Sequence, residues 1–235
     1  MLTDITVISG RECRVIRSER RKTVCIRVAG DGVPELLVPT FITDMELRHI
    51  AGRYAGWIDE HAKSFEELTR SRGDFELKIG DTVRCLGNRK VIRAHPEMTV
   101  SYDNEAFYVP EGFSGENLRQ AVIQVYKLFA RNYLTARTYE IARMMGLKPS
   151  AVKVNSAKTR WGSCSSRGSV NYTWYAVMAD REAVDYIIIH ELCHMRHMNH
   201  SKAFWNEVRK WCPEYERMKD ELKEVWREIQ GERWD

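Results

Sequence analysis

The sequence predicts an α+β protein in two parts: a strand-rich N-terminal part with one long helix over residues 1–112, and a helical C-terminal half over 113–235. Three patterns carry this expectation. Short segments alternating apolar with polar residues fill much of the first 110 positions, as half-buried strands do. Two long runs, starting near Thr43 and Gly115, keep apolar residues at helical spacing. Residues 181–195, REAVDYIIIHELCHM, read as a helix that is apolar all round over 186–189, the mark of a helix crossing a core, yet one that carries two histidines four positions apart.

The elements follow in order. CRVIRS and TVCIRVAG alternate apolar with basic residues, and Asp31-Gly32 supplies the turn into VPELLVP, a strand bounded by Pro34 and Pro39. Thr43 caps the first long helix, in which Leu47, Ile50, Ala51, Tyr54, Trp57 and Ile58 form the apolar stripe and Gly73 is the stop. FELKIG, TVRCLGN, VIRAH, MTVSYD and AFYVP are the next strands, with hairpin turns at Gly80-Asp81 and Gly87-Asn88. EGFSG at 111–115 marks the boundary, and the second long helix runs from there to near Gly146. After Pro149 come AVKVN and KTRWGSCSSRGSVNYTWYAVM, where Gly162 and Gly168 imply a tight connection and SVNYTWYAV a strand entering the histidine-bearing helix. Asp180 is the N-cap expected for that helix, and Glu182 adds negative charge to its first turn. Ser201 caps KAFWNEVRKW, and Pro213 opens the last helix, PEYERMKDELKEVWREIQ. Trp205, Trp211 and Trp226 are read as core packing without a substrate role. The sequence shows no repeat of fixed period.

With 43% hydrophobic and 30% charged residues in 235, the composition is that of an ordinary globular protein. Its apolar runs are too short to cross a bilayer, which argues against a membrane protein. The start, MLTDITVISG, lacks the charged and apolar regions of a signal peptide. Six cysteines without CxxC spacing read as reduced thiols, so the expected location is cytoplasmic. Net charge is +4, but Arg11, Arg14, Arg17, Arg20, Arg21, Lys22 and Arg27 crowd the first thirty positions. That crowding fits an anionic partner such as nucleic acid. It also fits the wet face of edge strands, which the alternation favours.

Chemistry is concentrated in HELCHMRHMNH, residues 190–200, which hold four of the seven histidines. His190 and His194 lie one helical turn apart on one face and can share an ion. Glu191 points about 100° round the helix, beside the metal, where a base that activates water must sit. His197 is about 10 Å along the axis from His190 if the helix is unbroken, too far for nitrogen–metal bonds of roughly 2 Å. The helix must therefore end, with Asn199 suited to a left-handed turn and His200 folding back. His200 is favoured as third ligand over His197, and over a downstream carboxylate such as Glu207 or Glu214. Arg160, Tyr172, Tyr175 and His197 are by type the candidates to stabilise an oxyanion. Gly162 would let a substrate backbone approach, WGSCS, including Ser163, would buttress or line the site, and Asn171 would hold an extended peptide by its amide. Arg160 and Trp161 fit equally well as a stacked pair supporting the helix. Cys193 reads as a small buried hydrophobe, whereas Cys164 as a thiolate ligand would close the site.

RWGSC at 160–164, Asn171, DYIIIHELCHMRHMNH, HSKAFW and a proline before the last helix together resemble the YgjP-like group of zinc metallopeptidases, which is related to the SprT-like proteins. RSERRKTVCIRV, WIDEH and IGDTVRCLGN also look like this group. The resemblance, strongest over roughly 120–225, implies a zincin-like C-terminal half and a polypeptide substrate. It further implies Zn2+ bound by His190, His194 and His200, with Glu191 as catalytic acid/base. Arg160, Ser163, Asn171 and His197 stand beside that set as substrate or oxyanion contacts. HExxHxxxxxH is also the metzincin spacing, but metzincins carry glycine where His197 stands and a Met-turn not evident here, so their fold is not carried over. Two rivals remain: a nucleic-acid-associated module with a structural zinc, since some SprT-like proteins act at DNA, and a zinc hydrolase of a non-peptide amide. Glu191 speaks against the first, because a structural site has no use for it.

Overall fold

Alternation at the N-terminus produces a mixed four-stranded sheet. In the computed structural model, which describes residues 2–8, 10–29 and 32–234, β1 (Leu2–Ile8), β2 (Arg11–Ser18), β3 (Cys25–Val28) and β4 (Pro34–Pro39) lie in the order β1-β2-β4-β3. The central pair β2/β4 is parallel and the outer pairs are antiparallel. β1 is not among the strands expected from the sequence, because its apolar Ile5 and Val7 face solvent and so do not mark a buried face. β4 is buried at all six positions, as the inner strand of a covered sheet should be. Cys13, Val15, Leu36 and Val38 of the sheet pack with Leu47, Ala51 and Ile58.

Those last three come from two helices, not the single one expected: α1 (Asp44–Arg53) and α2 (Ala55–Asp74), broken at Tyr54 (φ −103°, ψ 8°). Gly52 and Gly56 flank the break, and each is about 1 kcal/mol poorer than alanine in a helix. Thr43 does cap α1, in a capping box with Glu46. Asp31 of the expected turn lies outside the described residues. Gly32 is left-handed at φ +84°, and a Cβ there would come within 2.7 Å of the Phe65 ring. Most of the crowded N-terminal arginines are paired locally: Arg11 with Asp59 and Glu66, Arg17 with Asp44, and Arg14 and Arg27 with Glu35.

A second sheet repeats the order and sense of the first. β5 (Thr82–Cys85), β6 (Asn88–His95), β7 (Ser101–Tyr102) and β8 (Ala106–Pro110) lie as β5-β6-β8-β7, with a parallel centre and antiparallel flanks. The hairpin turn falls at Leu86-Gly87, both at positive φ (51° and 78°), one residue earlier than expected. Leu86 is held there by donating its N–H to the Val177 carbonyl at 2.8 Å. FELKIG forms no strand, because Asp81 turns the chain by accepting the Lys78 N–H at 2.8 Å.

The thirty-residue α3 (Gly115–Met144) follows, then β9 (Ala151–Asn155), β10 (Gly162–Cys164) and β11 (Ser169–Thr173) in the order β10-β11-β9. The expected strand SVNYTWYAV stops at Thr173, and Trp174–Met178 is a fully buried 3-10 helix. α4 (Arg181–Cys193), α5 (Lys202–Trp211) and α6 (Tyr215–Gly231) complete the chain. Backbone proximity groups Met1–Phe75 with Gly231–Arg233, and Glu76–Gln230 with Trp234–Asp235. β7 and β8 pack on α3, and this ties their sheet to the helices that follow. Among the described residues no helix is long and apolar enough to cross a membrane.

Candidate metal centre

α4 is a helix because good helix formers fill both ends, and it is buried because YIII leaves it no polar face at its middle. Ile187, Ile188, Ile189 and Leu192 are buried, each worth about 1.5–3 kcal/mol relative to exposure. Arg137 of α3 grips Asp185 through two hydrogen bonds of 2.8 and 2.6 Å and fixes the helix along its axis. Asp180 stands at the N-cap position but makes no capping hydrogen bond from its side chain. Its carboxylate instead faces Arg84 at 3.5 Å, and its N–H donates to Glu221 Oε1 at 3.2 Å.

The helix ends at Cys193, with His194 as C-cap. Asn199 is not left-handed, since Leu86 is the sole non-glycine residue at positive φ among those described. The turn is made by tightened hydrogen bonds, Met195 N–H to Leu192 O and Arg196 N–H to Cys193 O, both 3.0 Å. Arg196 then clamps it, donating to the Met145 carbonyl at 2.7 Å and pairing with Glu207. Ser201 accepts the Phe204 N–H and starts α5.

This turn brings His200 back over the helix. His190 Nε2 and His200 Nε2 stand 3.1 Å apart, and ligand nitrogens of His190, His194 and His200 all lie within 4.8 Å of one another. Two tetrahedral ligands on one zinc are separated by about 3.3 Å, given bonds of roughly 2.0–2.1 Å, so the donor set fits that ion. The His194 Nδ1–H donates to the His197 carbonyl at 3.1 Å, which leaves Nε2 with its lone pair. His197 therefore contributes its backbone, not its ring. Burial, then the neighbouring His194 and His200, hold His190 down at about 3, and burial lowers His194 as well, so both imidazoles are neutral and able to ligate. Phe204 is the floor, with ring centroids 4.9, 4.5 and 4.8 Å from His190, His194 and His200. The Tyr186 hydroxyl stands 3.5 Å from His190 Nδ1. Nothing in sequence spacing marks Phe204 or Tyr186, although Tyr186 is one turn before His190.

Glu191, the residue after His190, is buried, and its Oε2 has no hydrogen-bond partner. Burial pushes its carboxyl up to about 8, against the opposing charge of Arg160. Gly162 makes the room: a Cβ there would sit 2.7 Å from both Glu191 Cγ and Oε1. The space expected for a substrate backbone at this glycine is thus filled by the carboxylate of Glu191.

The remaining expected residues divide. Tyr172 is fully buried, its hydroxyl accepting from Thr138, and the buried Tyr175 donates to the Trp234 carbonyl, so neither hydroxyl is exposed to an oxyanion. Ser163 lies on β10 opposite Asn171 on β11. β11 is the middle strand of its sheet, so a peptide cannot add along Asn171, and the edge strands are β10 and β9. Arg160 is exposed just before β10. Cys164 is outside the histidine cluster, its thiol pushed up to about 11 by burial and by Glu191 and donating to the Ser165 carbonyl. Glu207 is taken by Arg196 and the Trp211 indole, and Glu214 is also outside the cluster. Trp161 packs edge-on against Trp226 at 4.7 Å, not on Arg160.

A family model described as YgjP-like, metallopeptidase domain, matches residues 22–225. No curated protein matches the chain. Among solved structures, the metallopeptidase zymogen of Pyrococcus abyssi abylysin is 25% identical, with 41% of this chain and 95% of that one covered at a TM-score of 0.36. The metallopeptidase zymogen of Methanocaldococcus jannaschii jannalysin is 24% identical, with 39% and 94% covered at a TM-score of 0.35.

Proposed function

The chain belongs to the YgjP-like metallopeptidase family, and from that premise we propose that it hydrolyses peptide bonds with a zinc ion held by His190, His194 and His200 and with Glu191 as general acid/base, in a zincin-like C-terminal half. The observation that carries this reading is the Glu191 carboxylate, buried with an unpartnered Oε2, on the residue that follows His190 of the three clustered imidazoles. A purely structural site has no use for such a group, which is costly to bury without a partner.

Zinc, when bound, supplies a Lewis acid that brings the pKa of a water to about 7 and polarises a carbonyl. Glu191 accepts the proton as attack proceeds and returns it to the leaving amine. The edge strand β10 offers backbone groups to an extended peptide, and Ser163 lies on that strand. Of the four oxyanion candidates Arg160 is the one with an exposed cationic side chain on the Glu191 side.

The test is Glu191→Gln. It keeps the size of the side chain and the histidine ligands while removing the base. Zinc content should stay at one per chain, while hydrolysis of an unstructured protein substrate falls by about 10²–10⁴-fold. Turnover within a few-fold of the parent would overturn the assignment.

A further inference from the structure

A cleft of about 370 Å³ opens beside the histidine cluster, walled by Trp161, Trp226, Tyr186 and Leu222 and rimmed by Arg160 and Lys219. Its size is at the lower end of ligand pockets, roughly 300–1,000 Å³. Three contacts tie it to the metal centre. Tyr186 forms a wall of the cleft and reaches His190 Nδ1 at 3.5 Å. The Lys219 ammonium lies 5.2 Å over the ring of Trp205, which itself packs on His190 and His200. Trp161 adjoins Gly162, the residue against the Glu191 carboxylate.

The rim is unbalanced in charge. Among the described residues no carboxylate lines the cleft. Its third cation, Lys223, is paired with Asp220 at 2.7 Å, whereas Arg160 and Lys219 form no ion pair among the described residues. The walls are large aromatic faces with little to hydrogen-bond, so a small acidic side chain alone would leave them wet. A bulky apolar group with a carboxylate alongside satisfies both parts.

We propose that this cleft is the specificity site of the peptidase: it takes an aromatic or large aliphatic side chain of the substrate, with a carboxylate next to it held by Arg160 and Lys219. The carboxylate comes from a neighbouring Asp or Glu or from a free C-terminus. The assignment rests on the peptidase reading above for its meaning, but the binding it requires is measurable without turnover. The Trp161–Trp226 pair meets at 77° and offers no parallel slot for a nucleobase, which favours a peptide over a nucleotide.

The experiment is calorimetric titration of the full chain, metal-free and zinc-loaded, with acetyl-Phe-Asp-amide, acetyl-Phe-Asn-amide, acetyl-phenylalanine, acetyl-phenylalaninamide and adenosine monophosphate. At least one carboxylate form should bind about fivefold tighter than its uncharged partner at low salt, the preference expected of partly exposed charge pairs. Which one does so identifies the source of the carboxylate. Lys219→Gln should remove most of the preference and Lys219→Glu should reverse it, with the apolar contribution kept in both. Equal affinities, a preference that survives Lys219→Glu, or tighter binding of the nucleotide would overturn the proposal. Cleavage of peptides with no such preference also sinks the cleft assignment. The binding preference without any hydrolysis would sink the peptidase reading instead.

Discussion

Gly162 and Glu191 meet so closely that the glycine is a condition for the carboxylate's position. Adding a single methyl in Gly162→Ala puts a carbon 2.7 Å from Glu191 Oε1, and overpacking of this kind typically costs about 1–3 kcal/mol. The strain can be relieved only by moving the carboxylate or the β10 backbone. The variant should bind zinc with little change, because a Cβ at Gly162 meets Glu191 and none of the three imidazoles, while kcat falls at least about a hundredfold. Metal analysis beside steady-state kinetics checks this, and an unchanged kcat would mean that the carboxylate's position is unimportant. Part of this was legible in the sequence. The grouping of His190, Glu191 and His194 follows from helical geometry, and His200 follows from the reach of a metal bond. The purpose of Gly162 was not legible, because the group it accommodates arrives from a helix much later in the chain. Nor was the turn before His200: Asn199 has the right intrinsic preference, but Arg196, held between Met145 and Glu207, shapes the chain there instead.

Among the elements, the start of α4 shows how tertiary contacts displace a local rule. Asp180 is of a type that caps helices, yet its side chain turns toward Arg84 and its N–H is received by Glu221 of α6. Burial and the nearby Asp180 raise the Glu221 carboxyl, outweighing the lowering by that N–H and by Arg217 and Arg84. A carboxyl raised in the folded state contributes stability that is complete below its unfolded pKa of about 4.3 and is lost as pH rises through the folded value. Glu221→Gln keeps an oxygen to accept the Asp180 N–H and removes the charge. It should therefore raise the melting temperature at pH 7 and leave it unchanged at pH 4. An equal shift at both pH values would mean that packing, not ionisation, is responsible. The same limit on local reasoning explains the sheets. Alternation identifies most strands, but it carries no information on partner or sense, so the parallel pairing of β2 with β4 and of β6 with β8 is not written in it. The break between α1 and α2 was within reach, since Gly52 and Gly56 are plain in the sequence.

At the scale of the whole molecule, two units carry sheets of the same order and sense, yet all three clustered imidazoles belong to the larger one. A ligand that binds only the folded form stabilises it by about 2.7 kcal/mol at a hundredfold excess over its Kd. For a unit of about 150–250 residues each kcal/mol is worth roughly 2–4 °C. Zinc should thus raise the transition reported by the larger unit's tryptophans by about 5–10 °C, and chelation should reverse the gain. His200 is the ligand with which to test this. His190 is half-buried and packs on the buried Phe204, so its removal would disturb the core as well as the ion. His200 is exposed on the turn between α4 and α5, where a substitution by itself changes stability by only about 0.5 kcal/mol. In His200→Ala the metal-free melting temperature should match the parent, while most of the zinc-dependent gain disappears. A full zinc shift in that variant would show that the ion is held without His200 and would remove the third ligand from the proposed centre.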